Sequence, residues 1–542
     1  MDNERARGGA GDRLFLGLDL STQSLQGILI DESLTVLGDC SIHFDTDLPA
    51  FGTTGGVHRH EDGVTVTSPA PMWVAALDLL LERMKAERWP LERIVAVSGS
   101  GQQHGSVWLN AAAESALAGL DAERTLGEQL AGIFSRADSP IWMDTSTARQ
   151  CAAREAALGG PQAVADVTGS RAYERFTGNQ IARVAQEQPD VYGATERIAL
   201  VSSFGASVLA GAVAPIDWSD GSGMNLLDLR TRTWWTAALD CTASDLARRL
   251  GEPVAPHTVV GRLHRYYRQR YGFAGDCAVI AFSGDNPNSL AGLLLRDVGD
   301  LAVSLGTSDT VFGSLTEPRP SGEEGHIFVN PVDPTAYMAM IVRQNGSLTR
   351  EAVRDASAAG SWERFEEHLR ATPPGNGGRL GFYYRAPEIT PPVRTPGIRR
   401  FDAQDAPVES FAPAADVRAV VENQFLTMRV HGTRVGLAPR RIFVTGGASR
   451  NRAVVQVLAD VFGVPVSSGE VTGSAALGAA YRAAHGRQCA DAGRFVAFKD
   501  TVGSRGGGTV TVEPDPAATA AYNRLLDRFA ALEARAVFRA SR

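Results

Sequence analysis

The sequence predicts an α/β protein built from two related domains, and three observations carry that reading. The chain has 542 residues, too many for one compact core, so two domains of roughly 200–250 residues are expected. Short apolar runs of strand length alternate with amphipathic helical patterns along much of it. A hairpin pattern at the start is restated near residue 300, so that each half of the chain opens on the same plan.

The first of these hairpins runs LFLGLDL from Leu14 to Leu20, turns through the polar STQS and returns as LQGILID. Two apolar strands with a small, hydroxyl-rich tip are expected. A helix follows at residues 69–84, with Ser68 as its expected cap, Pro69 in its first turn and Trp73, Leu77, Leu80, Leu81 and Met84 on one face. The run from Ile94 to Ser98 predicts a buried strand ending in the glycine-rich GSGQQHG. Residues 198–216 carry no charge and are long enough to span a bilayer. Three serines, two glycines and a proline lower their mean hydropathy, so a buried helix of a large core is expected instead.

Residues 300–313 read DLAVSLGTSDTVFG, again strand, hydroxyl-rich turn and strand. The boundary between the halves is therefore expected at residues 294–300. In the second half, RIFV at residues 441–444 predicts a strand. It leads through TGGASRN into an amphipathic helix that ends at Gly463, after which Val464–Val466 begin another strand. From Gly486 onward the chain reads as irregular, with Gly506–Gly508 in a loop, before a closing helix near residues 517–536.

Composition narrows the function. The chain is 44% hydrophobic and 21% charged with a net charge of −8, which gives no basic footprint for a nucleic acid. A small neutral substrate fits that balance. The five cysteines, Cys40, Cys151, Cys241, Cys277 and Cys489, are scattered without CxxC spacing, so neither a zinc site nor a disulfide framework is expected. The first thirteen residues have no apolar core and read as a disordered lead-in, not a signal peptide. A cytoplasmic protein with no membrane partner is the expectation.

The two hairpin tips are the first chemical candidates. Ser21, Thr22 and Gln23 offer hydroxyls and backbone N–H groups suited to phosphate oxygens, and Asp19 just before them suits the shell of a magnesium ion. An ordinary polar turn explains the same residues. Gly306, Thr307 and Ser308 repeat the arrangement, and two such turns together point to the clamping of ATP. Gly446 and Gly447 in TGGAS allow close backbone approach to a flat ligand, or serve only a turn that needs positive φ. Transfer of a phosphoryl group to an alcohol needs a residue to take the hydroxyl proton. Asp285 in FSGDNPNSLAG is the candidate. It or Asn286 also suits a helix cap with Pro287 in the first turn, a place that favours the ionised carboxylate. His104 lies in a glycine-rich loop poorly suited to a packed core, and Arg175 beside Glu174 also reads as a surface ion pair.

The ordered set LGLDLSTQS, DLPAFGTTGGVH, SGSGQQHGSV, PIWMDTST, TGSRAYERFTGNQIA, IDWSDGSGMNLLDL, SGDNPNSLAG, VSLGTSDTVF, GHIFVNPVDP, NGSLTRE and TGGASRN resembles the FGGY carbohydrate kinases over residues 16–486. The resemblance implies two actin-like, ribonuclease-H-like ATPase domains with the active site in the interdomain cleft. Their expected bounds are 14–296 for a sugar-binding domain and 297–488 for a nucleotide-binding domain, with 1–13 as lead-in and 489–542 as a C-terminal extension. It also implies transfer of the γ-phosphate of Mg-ATP to O5 of D-xylulose, by a monomer or homodimer. On the matching motifs Asp285 becomes the catalytic base and Asn286 a sugar ligand, with His104 and Arg175 binding sugar hydroxyls. Gly446, Gly447 and Asn451 contact the nucleotide, and Trp362 flanks the adenine. One position departs from the family: Gln26 stands where a Lys or Arg usually follows the first-hairpin Asp. A kinase for another ketose or polyol, such as ribulose, is the nearest rival, and an inactive actin-like nucleotide-binding scaffold the more distant one.

Overall fold

The structure is a computed structural model that describes residues 13–469, 473–503 and 510–538. Residues 1–12 of the lead-in and the loop at Gly506–Gly508 lie outside the described residues. The chain divides into two compact units. Unit 1 holds residues 1–294, 328–335 and 472–505, and unit 2 holds 295–327, 336–471 and 506–542.

Unit 1 is organised by a sheet that begins with the expected hairpin, β1 (Leu14–Leu20) and β2 (Ser24–Asp31), continued by β3 (Val36–His43). β1 is buried along its whole length, which is why it reads as an unbroken apolar run instead of an alternating one. α1 (Ala70–Ala86) buries Trp73, Leu77, Leu80, Leu81 and Met84 as its sequence predicts. Its start differs. Residues 66–69 form a short strand, and Ser68 Oγ donates to the Gly56 carbonyl and makes no cap. β4 (Ile94–Gly101) extends three residues past the expected Ser98, because its small residues pair on both sides. On one side they pair with β1, Asp19 opposite Ser100, and on the other with Ser283 and Gly284. β5 (Val259–Arg262) and β6 (Ala278–Ile280) complete the order β5-β6-β4-β1-β2-β3.

The charge-free segment is not one helix. Arg197–Leu200 is a strand, and Val201–Ala210 is a buried helix closed by Gly211 in the left-handed region. Among the described residues no helix is long and apolar enough to cross a membrane. α2 (Asp285–Gly292) then starts directly after Gly284.

Unit 2 repeats the plan. β7 (Asp300–Leu305) and β8 (Asp309–Leu315) form the second hairpin, flanked by β9 (Tyr337–Arg343). A long buried helix, α3 (Pro413–Arg434), leads to β10 (Arg441–Thr445), parallel to β7, and to α4 (Arg452–Phe462), closed by Gly463 in the left-handed region. β11 (Val466–Ser468) follows.

The chain then contributes α5 (Ser474–Ala492) to unit 1. α5 runs straight through Gly486, where irregular chain is expected. The glycine is there for packing, since a Cβ at 486 would stand 2.5 Å from Ile280 on β6. α5 and α2 press backbone to backbone: a Cβ at Gly478 would overlap the Asn288 carbonyl, and one at Gly292 the Ser474 carbonyl. Arg482 on α5 is buried and donates to Asn288 Oδ1 at 2.7 Å, while Asn288 Nδ2 donates to the Gly99 carbonyl at 2.9 Å. α2 is thus locked to both α5 and β4. The chain closes in unit 2 with β12 (Val510–Val512) and α6 (Pro516–Phe538), the expected last helix.

Candidate active site

Strand register assembles the unit 1 candidates. β1, β4 and the Ser283–Gly284 pair are mutually parallel neighbours, so their carboxyl ends finish at one edge of the sheet. That edge is where open α/β sheets offer ligand sites. Asp19 lies near the end of β1, Gln102–His104 follow β4, and Asp285 follows Gly284. The two carboxylates flank the end of β4 from opposite sides.

Asp285 is the first residue of α2 and makes no side-chain cap. Its Oδ1 accepts from the Asn286 N–H at 2.8 Å and from Asn286 Nδ2 at 3.0 Å. Burial, and then the negative charge of Asp19, push its carboxyl up to about 7, against the pull of backbone N–H groups of Asn286 and Gln103. A base poised near neutrality suits proton abstraction from an alcohol. Asn286 Nδ2 also donates to Gln103 Oε1 at 2.9 Å.

His104 is 5% exposed and has φ +68, a strained conformation for a residue with a Cβ. Thr177 Oγ1 secures it by donating to the His104 carbonyl at 3.0 Å. The imidazole stacks on Phe176 with ring centroids 4.5 Å apart, and its Nδ1 faces the Gly223 carbonyl at 2.8 Å. A carbonyl only accepts, so Nδ1 carries the proton. Burial, with the Arg175 charge beside it, holds the imidazole down to about 3. The ring is therefore neutral, and its Nε2 is an acceptor for a hydroxyl. Arg175 lies over the rings of Tyr173, at 5.1 Å, and Phe176, at 5.7 Å, which places it in the same aromatic cluster as His104.

Asp19 is 7% exposed; Ser21 Oγ donates to its Oδ2 at 2.9 Å, and its Oδ1 has no hydrogen-bond partner. Burial raises the carboxyl to about 6 against the hydroxyls of Ser21 and Ser100. Among the described residues no three His, Cys, Asp or Glu side chains cluster to hold a metal. One orphaned carboxylate oxygen nevertheless fits a cation such as Mg²⁺, which takes one or two protein carboxylates and completes its shell with phosphate and water. The tip beside it is held from two sides. Trp142 Nε1 donates to Thr22 Oγ1 at 2.9 Å, and Gly56, at φ +75, lies so close that a Cβ would overlap the Thr22 carbonyl. Gln23 is exposed at the tip. Gln26, opposite Asp19 on β2, rests against Gly473 at the start of α5.

In unit 2, Ser304 pairs with Thr445, so Gly306–Ser308 and Gly446–Gly447 also finish at one sheet edge. Gly446 has φ +86, and a Cβ there would overlap the Leu305 backbone. A Cβ at Gly447 would meet nothing within 4 Å. Asn451 caps α4, its Oδ1 accepting from the N–H groups of Ala453 and Val454. Its Nδ2 is the end left for other partners. The Ser347 N–H donates to the Gly306 carbonyl at 2.9 Å, and a buried Arg350–Asp309 ion pair anchors β8 beneath the tip. Both contacts come from NGSLTRE, a motif whose part in bracing the hairpin shows only in the fold. Trp362 opens the helix Trp362–Ala371, is 39% exposed and packs on Arg354 and Phe365.

The N-terminal domain model of the FGGY family of carbohydrate kinases matches residues 138–292, and the C-terminal domain model matches 301–487. The chain belongs to the FGGY family of carbohydrate kinases. It is 50% identical to xylulose kinase of Mus musculus over 536 residues, covering 98% of this chain and 96% of the relative. Xylulose kinase 2 of Arabidopsis thaliana is 47% identical over 499 residues, covering 90% and 89%. The fold matches the crystal structure of xylulose kinase from Rhodospirillum rubrum with a TM-score of 0.80 at 18% identity, covering 98% of this chain and 100% of that one. The structure from Brucella ovis gives 0.78 at 23%, covering 96% and 98%. These matches fit the two-domain α/β architecture of an FGGY kinase, in keeping with an actin-like ATPase fold.

Proposed function

We propose that the chain transfers the γ-phosphate of ATP to O5 of D-xylulose, with Asp285 as the general base. The observation that carries this reading is a carboxyl pushed up to about 7 at the carboxyl ends of parallel strands, with His104 on the loop after β4 and Asn286 in the first turn of α2. The 50% identity to a xylulose kinase along nearly the whole chain directs it to that sugar. Asp285 accepts the hydroxyl proton. The N–H groups of Asn286 and Gln103 keep its carboxylate aimed, and Asn286 contributes an amide to the sugar. Neutral His104 accepts from one sugar hydroxyl through Nε2, and Arg175 donates to another. The braced tip Ser21–Gln23 and the loops Gly306–Ser308 and Gly446–Gly447, with Asn451, bind nucleotide; Trp362 flanks the adenine. Asp19 would hold Mg²⁺, which supplies charge neutralisation for the phosphoryl group. A cytoplasmic location is part of the same proposal.

The test is sugar-dependent ADP release across D-xylulose, D-ribulose, L-xylulose, glycerol and no sugar. Fastest turnover on D-xylulose is expected. Preference for D-ribulose or glycerol would reassign the substrate, and ADP release indifferent to sugar would overturn the reading.

A further inference from the structure

Behind the base lies a second layer of polar groups that no step above uses. Asp220, on the turn Trp218–Gly221, is 2% exposed. Ser202 Oγ donates to its Oδ2 at 2.5 Å, while its Oδ1 has no hydrogen-bond partner. Gln103, 3% exposed, has the complementary gap: its Nε2 has no partner either. The orphaned acceptor and the orphaned donor converge over the α-carbon of Gly284. A Cβ there would stand 2.8 Å from Asp220 Oδ1 and 2.9 Å from Gln103 Nε2. Glycine directly before the base is what lets the two heads approach. The other end of the same amide, Gln103 Oε1, accepts from Asn286 Nδ2, and Asn286 Nδ2 donates to Asp285.

An amide has two ends, and which one faces Asn286 matters. If Gln103 turned over, Nε2 would confront Asn286 Nδ2, donor against donor, and the support of Asp285 would be lost. The two heads do not bond each other in this structure, but the Asp220 acceptor on the far side favours the orientation that keeps Oε1 on Asn286. We propose that Asp220 is a positioning residue for the base: its buried carboxyl, seated over Gly284, holds the Gln103 amide so that Asn286 and Asp285 stay aimed at the sugar hydroxyl. The inference rests on Asp285 being the base.

The charges around Asp220 say in which form it acts. Asp217, which caps the turn by accepting from the Asp220 N–H, and Asp285 are the acidic groups that face it. Arg482 from α5 is the counter-charge, and it lies 3.8 Å from Asp217. Burial, then the charge of Asp217, push the Asp220 carboxyl well above the ordinary range, outweighing the Ser202 hydroxyl and Arg482. The upward push favours the protonated form, which can orient an amide without adding negative charge beside the base.

Asp220→Ala, Asp220→Asn, Gln103→Met and Asp285→Asn, assayed in parallel for kcat, both KM values and the pH profile, test this. Asp220→Ala is expected to lower kcat by about 10–100-fold, the scale of a misplaced catalytic group, with the KM for ATP unchanged. Asparagine keeps an acceptor for Gln103 and no charge, so Asp220→Asn is expected to restore kcat to within about threefold of wild type, with the acid limb of the profile in place. Gln103→Met, which carries the test if the alanine variant does not fold, is expected to fall as Asp220→Ala does. An Asp220→Asn enzyme as slow as Asp220→Ala, or wild-type kcat in Gln103→Met, overturns the proposal. Full activity in Asp285→Asn instead overturns the base assignment on which it rests.

Discussion

Asp285 is held where its charged form is least comfortable, and stability and activity therefore pull in opposite directions at this residue. Its carboxyl titrates near 7 in the protein against an ordinary 3.8. The folded state thus binds its proton more tightly, and the penalty for ionising it builds as the pH rises from about 4 to about 7. Asp285→Asn removes that penalty. At pH 8 the variant is expected to unfold at the wild-type temperature or above while kcat falls by about 10²–10⁴, and wild-type kcat/KM is expected to decline below about pH 7. Thermal melts and pH–rate profiles on the two proteins check both signs. Gly447 offers a cleaner residue-scale test than Gly446. With negative φ and open space at its Cβ position, Gly447→Val is expected to fold normally and raise the KM for ATP about tenfold, 1.4 kcal/mol of lost binding. Equal damage to xylulose and ATP use would mark the loop as structural. The sequence marked Asp285 and His104 because polar residues in glycine-rich turns are conspicuous. Asp220 and Gln103 were not legible as chemistry, since an unpartnered amide end beside a buried carboxyl exists only once three separate segments are folded together.

At the scale of elements, close helix packing and one buried histidine decide what can be changed. α2 carries Asp285, the proposed base, and touches α5 through glycine at Gly292 and Gly478. Gly478→Ala drives a methyl into the Asn288 carbonyl and is expected to cost about 1–3 kcal/mol or more in denaturant unfolding, with a fall in kcat as α2 shifts. In unit 2, His431 on α3 bonds Glu324 through Nδ1 and Glu533 on α6 through Nε2. Burial pulls its imidazole down, but the two carboxylates overcome this and raise it to about 9. The bonded, charged form therefore contributes stability that is complete below pH 6.5 and lost as the pH rises through about 9. Melting temperature is expected to drop between pH 7 and 9.5, and His431→Gln to be less stable at pH 7 with a flatter decline. An unchanged slope would remove His431 as its source. Both hairpins, the Trp73 face of α1 and the Gly463 stop were legible because each is a local pattern. The misread elements share a cause. Gly486 and the charge-free stretch at 198–216 take their form from what packs on them: Ile280 against the glycine, and the strand Ser106–Leu109 against residues 197–200.

At the scale of the molecule, the repeat seen in sequence is a repeat of architecture. Each unit has a hairpin beside a parallel strand, with a hydroxyl-bearing tip at the carboxyl edge and a separate glycine-containing segment against that tip. Gly56 lies on the first and Gly346 on the second, where a Cβ would stand 2.5 Å from the Thr307 carbonyl. Chain order hid one feature of this plan, because α5 comes late in the sequence and folds with unit 1. The central claim is that this molecule phosphorylates D-xylulose at O5 with Asp285 taking the proton. The most direct measurement is phosphorus NMR of the product formed from D-xylulose and Mg-ATP by the wild type and by Asp285→Asn, each at equal nucleotide occupancy. The account predicts a single phosphate ester on carbon 5 from the wild type, and at least about 10²-fold slower formation of it by the variant. An ester at another position, or more than about a tenth of the wild-type rate from Asp285→Asn, would contradict it.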